Sequence, residues 1–306
     1  MTATALRAVS LDLDGLDAAA VEEACFAAGA YSVVLTDRRD DAILEPRPGE
    51  IRLWPATRLQ AIFPEDCVDE AALRRLAGTI GCPAGSLSVE AVPERAWERE
   101  WLKDFVPMRF GGRLWICPSH ASVGAADAVV VTLDPGLAFG TGTHPTTRLC
   151  LEYLDARHAA GGLVVDYGCG SGVLAIAALR LDAAARALAH DIDPQALTAT
   201  RDNALVNGVG ERLATFLDPT DLLAAIAARG PAQLVLANIL AGPLCELAPR
   251  LSAILAADGE LVLAGLLEEQ AEEVIAAYAP TVPLRRWRTL DGWTCLAGRR
   301  QQAVRP

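Results

Sequence analysis

Gly168, Gly170 and Gly172 stand on alternate positions after Val164-Val165-Asp166-Tyr167, and an apolar, helix-patterned segment follows at once. An apolar run, an acid, a glycine turn and a helix form the entrance of a nucleotide-type cofactor site at the end of a parallel strand. Glycine suits such a turn because a side chain would hold the backbone away from a ligand. The spacing is G-x-G-x-G, whereas a dinucleotide fingerprint would put a glycine at Val173. The chain also has no G-x-x-x-x-G-K-[ST] phosphate loop. An acid, Asp166, before a compact turn with no phosphate signature suits S-adenosylmethionine better than a nucleotide polyphosphate. Read alone, the turn also fits an ordinary strand-to-helix connection.

A second apolar run, Ala187-Leu188-Ala189, leads into His190-Asp191-Ile192-Asp193-Pro194. An acid there, about 20 residues beyond the glycine turn, is placed to grip a ribose diol. A carboxylate accepts hydrogen bonds from both hydroxyls, and Asp191 is assigned that task. Asp193 precedes Pro194 and is the better N-cap of the next helix. The alternative, that both acids cap, stays open.

Upstream, Asp134–Thr147 reads DPGLAFGTGTHPTT. Its glycines shape a loop, and Pro145 opens a helix over Thr146–Leu154. Hydroxyls and free amides at that helix start suit a carboxylate such as the methionine end of the cofactor, with Thr147 as the direct contact. His144 reads as a structural histidine beside a proline turn, with a general base as the alternative. Downstream, Leu234-Val235-Leu236-Ala237 ends in Asn238-Ile239-Leu240-Ala241. Asn238 at a strand end can accept a proton of an amine and aim its lone pair at a sulfonium methyl. It can equally cap the next helix.

These residues need a frame. Residues 3–92 predict β-α-β-β-α-β: strand Ala5–Leu13, helix Asp17–Gly29, strand Tyr31–Thr36, strand Ile51–Ile62, helix Asp69–Ile80, strand Ser86–Val92. That order is ferredoxin-like. Pro93–Asp104 is a charged linker helix with Trp97 and Trp101 on one face, docking two indoles or, as the alternative, forming a substrate platform. Mobility is expected there and in the loop Asp37–Glu50. Arg113–Cys117 and Ala128–Leu133 read as strands. From Leu163 onward, strands near 163–167, 187–191, 213–217, 233–238 and 260–264 alternate with helices, which is a doubly wound parallel sheet. An Asp291-Gly292 turn then joins Leu284–Thr289 to Trp293–Gly298 as a hairpin. The domains are expected over 1–92, 93–106 (the linker) and 107–306.

The chain has 306 residues, enough for two domains. No charge-free apolar run reaches the ~18 residues of a membrane span, and Asp12 and Asp14 interrupt any signal-like start. Eight scattered cysteines without a C-x-x-C pair predict reduced thiols in the cytoplasm and no metal site. The net charge of −12 argues against a general nucleic-acid binder and suits a basic protein substrate.

The chain resembles the ribosomal protein L11 methyltransferase family in Trp97–Pro118 (WEREWLKDFVPMRFGGRLWICP), Asp134–Thr147, Asp166–Gly172 (DYGCGSG) and Ala237–Leu247 (ANILAGPLCEL). The resemblance implies a Rossmann-like class I methyltransferase domain, with a mostly parallel seven-stranded sheet, behind a substrate-holding N-terminal domain. It implies cofactor contacts at Thr147, Gly168, Asp191 and Asn238, with Gly170 and Asp166 in the same turn. It further implies trimethylation of lysine and N-terminal amines of ribosomal protein L11. His190 stands where the family usually has glycine, and Leu181–His190 is slightly lengthened. A methyltransferase acting on RNA or glutamine and a non-catalytic adaptor are the competing readings. Asn-Ile-Leu-Ala in place of Asn-Pro-Pro-aromatic counts, by resemblance, against a glutamine or DNA adenine acceptor.

Overall fold

The computed structural model describes residues 5–39, 53–92, 106–134, 143–157 and 161–301. The chain forms two compact units, Met1–Trp97 and Glu98–Pro306. The expected linker helix with Trp97 and Trp101, residues 40–50 of the expected loop, and most of the 134–142 loop lie outside the described residues.

In the first unit the elements run β1 (Leu6–Asp12), α1 (Ala18–Ala27), β2 (Ser32–Asp37), β3 (Thr57–Pro64), α2 (Glu70–Ile80) and β4 (Ser88–Val92). The sheet order is β2-β3-β1-β4 with every neighbour antiparallel, the expected ferredoxin-like arrangement. Asp17 and Asp69 cap the two helices, accepting the Ala19 and Ala72 N–H groups at 3.0 and 2.6 Å. Strand alternation turns Val9, Leu11, Leu59, Ala61 and Phe63 onto Val21, Cys25 and Leu76 of the helices. The strand expected from Ile51 begins only at Thr57. Pro55 has no N–H to donate to a ladder, and the Thr57 hydroxyl bonds back to the Trp54 carbonyl at 2.6 Å, making a turn.

The second unit begins with β5 (Met108–Phe110), β6 (Leu114–Cys117), β7 (Val129–Thr132) and α3 (Pro145–Ala156). There follow β8 (Gly162–Tyr167), α4 (Val173–Leu181), β9 (Ala185–His190), α5 (Pro194–Val206), β10 (Leu213–Phe216), α6 (Pro219–Arg229) and β11 (Ala232–Asn238). The chain closes with α7 (Ala241–Glu246), α8 (Ala248–Ala253), β12 (Leu255–Leu267), α9 (Ala271–Tyr278), β13 (Arg285–Leu290) and β14 (Trp293–Arg299). The main sheet has the order β10-β9-β8-β11-β12-β14-β13. Its first five strands are parallel, and the hairpin β13–β14 is added antiparallel on β12. The hairpin turns at Asp291 and Gly292, with φ of +50° and +78°.

Alternate residues of the central strands bury on opposite faces, as a sheet covered on both sides requires. Val164, Leu234 and Leu236 meet α3 and α4, while Val165, Val235 and Leu263 meet α6 to α9. The strand order reverses between β8 and β11, so the chain departs to opposite sides there and leaves a crevice at their carboxyl ends.

The two strands expected near 113 and 133 are joined by a third, β5, into a separate small sheet, β5-β6-β7, packed on α3 and α4. Asp155 of α3 fastens it, since one carboxylate accepts the N–H groups of Gly112, Arg113 and Leu114. Glu260 of β12, almost fully buried, fastens the same end of α3 by pairing with Arg157 at 2.6 Å and with Arg299. All eight cysteines are free thiols, and no helix of the described residues is long and apolar enough to cross a membrane.

Asp155→Ala leaves three amides without their shared charged acceptor. The expected loss is about 2–3 kcal/mol of unfolding free energy in urea, with faster hydrogen exchange at Leu114. A variant as stable as the parent contradicts this anchoring role.

Candidate functional site

The glycine turn owes its shape to backbone handedness. Gly168, Gly170 and Gly172 have φ of +79°, +53° and +78°, conformations that cost other residues energy. A Cβ on Gly168 would also lie 2.4 Å from Ile239 Cγ2, and one on Gly172 2.7 Å from Thr200 Cγ2. At these two positions the protein's own packing already requires glycine.

The amides of the turn are spent inside the protein. Gly168 and Cys169 donate to the His190 carbonyl at 2.8 and 3.0 Å, Gly172 to the Cys169 carbonyl at 2.8 Å, and Gly170 to Asp191 Oδ2 at 2.8 Å. Helix α4, which begins at once, has a glycine N-cap with no side chain to offer. Asp166 takes the cap's place from the preceding strand, its Oδ2 accepting the Ala175 N–H at 3.0 Å. An anion site at a helix N-terminus needs free N–H groups, and here a carboxylate already fills it. The turn is therefore unsuited to phosphate, as its spacing indicated.

What the site offers is negative charge. Asp166 is fully buried, and its Oδ1 has no hydrogen-bond partner. Burial pushes its carboxyl up to about 7; the Ala175 N–H works against that rise, and the Asp191 charge adds to it. Asp191, at the end of β9, accepts Gly170 N–H on one oxygen and Asp193 N–H on the other, at 2.8 and 3.0 Å. A carboxylate has about four lone-pair sites, so about two remain for hydroxyl donors. Asp193 caps α5 by accepting Gln195 N–H at 2.8 Å. Asp193 is thus the helix cap, whereas Asp191 bonds the glycine turn and the Asp193 amide.

Across the switch point, Asn238 at the end of β11 and Thr147 in the first turn of α3 come together, with Nδ2 donating to Thr147 Oγ1 at 3.3 Å. Helix α7 takes Leu240 as its N-cap and uses no side chain there, so Asn238 is not a helix cap. Among the described residues Asn238 Oδ1 has no hydrogen-bond partner, and it is left for a donor. Thr147 is almost fully buried. The hydroxyl of Thr146, beside it, is 2.8 Å from His144 Nδ1, so it is not free for a carboxylate. His144 caps α3 through Thr146 N–H, and burial lowers its pKa, which favours the neutral ring. It is a structural residue, as first read.

Several supporting residues escaped the sequence. Gly265 (φ +86°) breaks the β12–β14 register and packs on the Ile239 backbone, where a Cβ would lie 2.4 Å from its carbonyl oxygen. Ile239 is thus held between Gly265 and Gly168, which fixes the loop after Asn238. A lone glycine inside an apolar strand was the available signal. His190 sends Nδ1 to within 3.0 Å of the Phe216 carbonyl and lies 4.5 Å from the Tyr167 ring, joining the ends of β8, β9 and β10.

The Asp166 shift carries a pH signature. A carboxyl near 7 when folded and near 3.9 when unfolded binds more protons in the fold between those values. Stability therefore falls as pH rises through that window. Asp166→Asn removes the term, so its unfolding free energy relative to the parent is expected to improve from pH 5 to pH 8, by up to about 2–3 kcal/mol. Parallel stability curves across that range contradict the assignment.

Comparison with known proteins adds an independent line. The profile of the ribosomal protein L11 methyltransferase (PrmA) family matches residues 7–301. The ribosomal protein L11 methyltransferase of Ectopseudomonas mendocina (strain ymp) is 48% identical over 277 residues, 90% of this chain and 93% of that protein. That of Klebsiella pneumoniae (strain 342) is 46% identical over 293 residues, 95% and 98% of the two chains. The crystal structure of ribosomal protein L11 methylase from Lactobacillus delbrueckii subsp. bulgaricus aligns with a TM-score of 0.57 at 32% identity, covering 65% of this chain and 100% of that one.

Proposed function

The chain belongs to the ribosomal protein L11 methyltransferase family, and from that premise we propose that it methylates amino groups of ribosomal protein L11 with S-adenosylmethionine. The acceptors are lysine side chains and the N-terminal amine, carried to the trimethyl state. The observation that carries the cofactor reading is the buried, half-unpartnered carboxylate of Asp166 beside Asp191, in a turn whose amides are already taken. Such a donor set repels phosphate and suits a ligand with cationic groups and a diol.

Asp191 would hold the ribose, Asp166 and the turn at Gly168 and Gly170 the neighbouring part of the cofactor, and Thr147 with Asn238 the reactive end. S-adenosylmethionine supplies an activated methyl group on a sulfonium, so the protein's work is alignment and exclusion of water. The harder requirement falls on the acceptor. A lysine near pKa 10.4 needs about 4–5 kcal/mol to become neutral at pH 7, and an N-terminal amine near 8 needs about 1–1.5 kcal/mol. A dry pocket beside a positive charge lowers that requirement without a dedicated base. Asn238 then aims the amine: Nδ2 rests on Thr147, and Oδ1 is presented to an amine N–H.

Residues 1–92 would hold L11, with 93–106 as the connection and 107–306 as the transferring domain. The charge of −12 favours a basic protein over RNA as the partner, and no direct nucleic-acid recognition is invoked. The compartment is the cytoplasm, in keeping with eight free thiols.

Asn238→Ala is expected to lose on the order of 100-fold in turnover on L11 while calorimetric cofactor affinity changes much less. Parent-like turnover in that variant removes the orienting role. Transfer by neither protein to L11, with cofactor bound, defeats the assignment of substrate.

A further inference from the structure

The mouth of the site holds an aromatic group that the reading above leaves unused. Trp293 opens β14, and β14 runs antiparallel to β12, so its first residue lies at the carboxyl edge of the sheet. It pairs with Leu267, three positions beyond Ala264, which is level with Asn238. The tight Asp291-Gly292 turn fixes it there. The Gly292 carbonyl accepts Glu268 N–H at 2.8 Å, and the hydroxyls of Thr289 and Thr294 meet at 2.6 Å across the hairpin. The indole is half-buried, and its centroid lies 4.8 Å from that of His144 with the planes at 71°. The indole thus packs on the imidazole that caps α3 through Thr146, and the next residue of that helix, Thr147, carries the hydroxyl that meets Asn238.

Successive methylation poses a problem of recognition. An amide oxygen holds an amine through N–H groups, and each transfer removes one. A trimethylammonium has none left, so Asn238 loses its grip as the reaction proceeds. The face of an indole attracts a cation whatever its methyl count. Among the described residues the acids beside Trp293 are poor substitutes, since Glu268 pairs with Arg286 at 3.3 Å and Asp291 sits exposed in the turn. Burial favours a neutral His144, which spares an adjacent cation from repulsion. We propose that Trp293 is a wall of the acceptor site that holds the methylated ammonium, so that one nitrogen is retained for consecutive transfers. The inference rests on the amine-methyltransferase reading.

The test compares the parent, Trp293→Phe and Trp293→Leu by intact mass of L11 under excess L11, reading the ratio of trimethylated to monomethylated product. The Phe variant keeps a ring face and is expected to stay within about threefold of the parent, whereas the Leu variant falls about tenfold as mono- and dimethyl products accumulate. Calorimetric binding of a trimethyllysine peptide is expected to weaken in the same order. If Trp293→Leu does not fold, Trp293→Met supplies an unbranched apolar side chain without a ring face. A parent-like product ratio and peptide affinity in the ringless variants overturn the role of Trp293. Absence of any L11 methylation by the parent overturns the underlying reading instead.

Discussion

A single carboxylate organises the site. Asp166 leaves the end of β8 and accepts the third amide of α4, because Gly172 bends the chain into that helix with no side chain to do so. The arrangement locks strand, turn and helix together in one short segment. It also settles what the site can receive: the helix N-terminus that usually attracts an anion is already occupied by one. A second acid, Asp191, closes on Gly170 from β9 and adds to the negative potential. The high carboxyl pKa of Asp166 is the electrostatic cost of that arrangement, and a cationic ligand relieves it.

The other half of the site depends on helix α3. Its start is capped by His144 and carries Thr147, which holds Asn238 across the switch point. Its end is fastened by Asp155 to the small sheet and by Arg157 to Glu260. The helix therefore cannot shift without disturbing contacts to β6, β11, β12 and β14. That rigidity suits a reaction in which the protein aligns two reactants and adds little chemistry of its own.

Much of this was legible in the sequence because the signals are local. The strand-glycine-helix segment, the Pro194 that marks Asp193 as a cap, and the Asp-Gly turn of the C-terminal hairpin each depend on residues close together in the chain. The ferredoxin-like order and the parallel strands followed from periodicity in the same way. What escaped depends on partners far apart. β5 has only three residues and exists because β6 pairs with it, and the late start of β3 follows from the Thr57–Trp54 bond. Ile239 is held by glycines 71 and 26 residues away, a constraint that no window of sequence contains. Asn238 stayed ambiguous for a similar reason, since only the fold brings Thr147 within reach and gives Leu240 the cap position.

The central claim is that this site moves methyl groups onto amines of ribosomal protein L11. Intact-mass spectrometry of recombinant L11, incubated with this protein and S-adenosylmethionine, tests it most directly. The account predicts mass increases in steps of one methylene that cluster at multiples of three. An unchanged mass, with cofactor binding verified in the same sample, contradicts it.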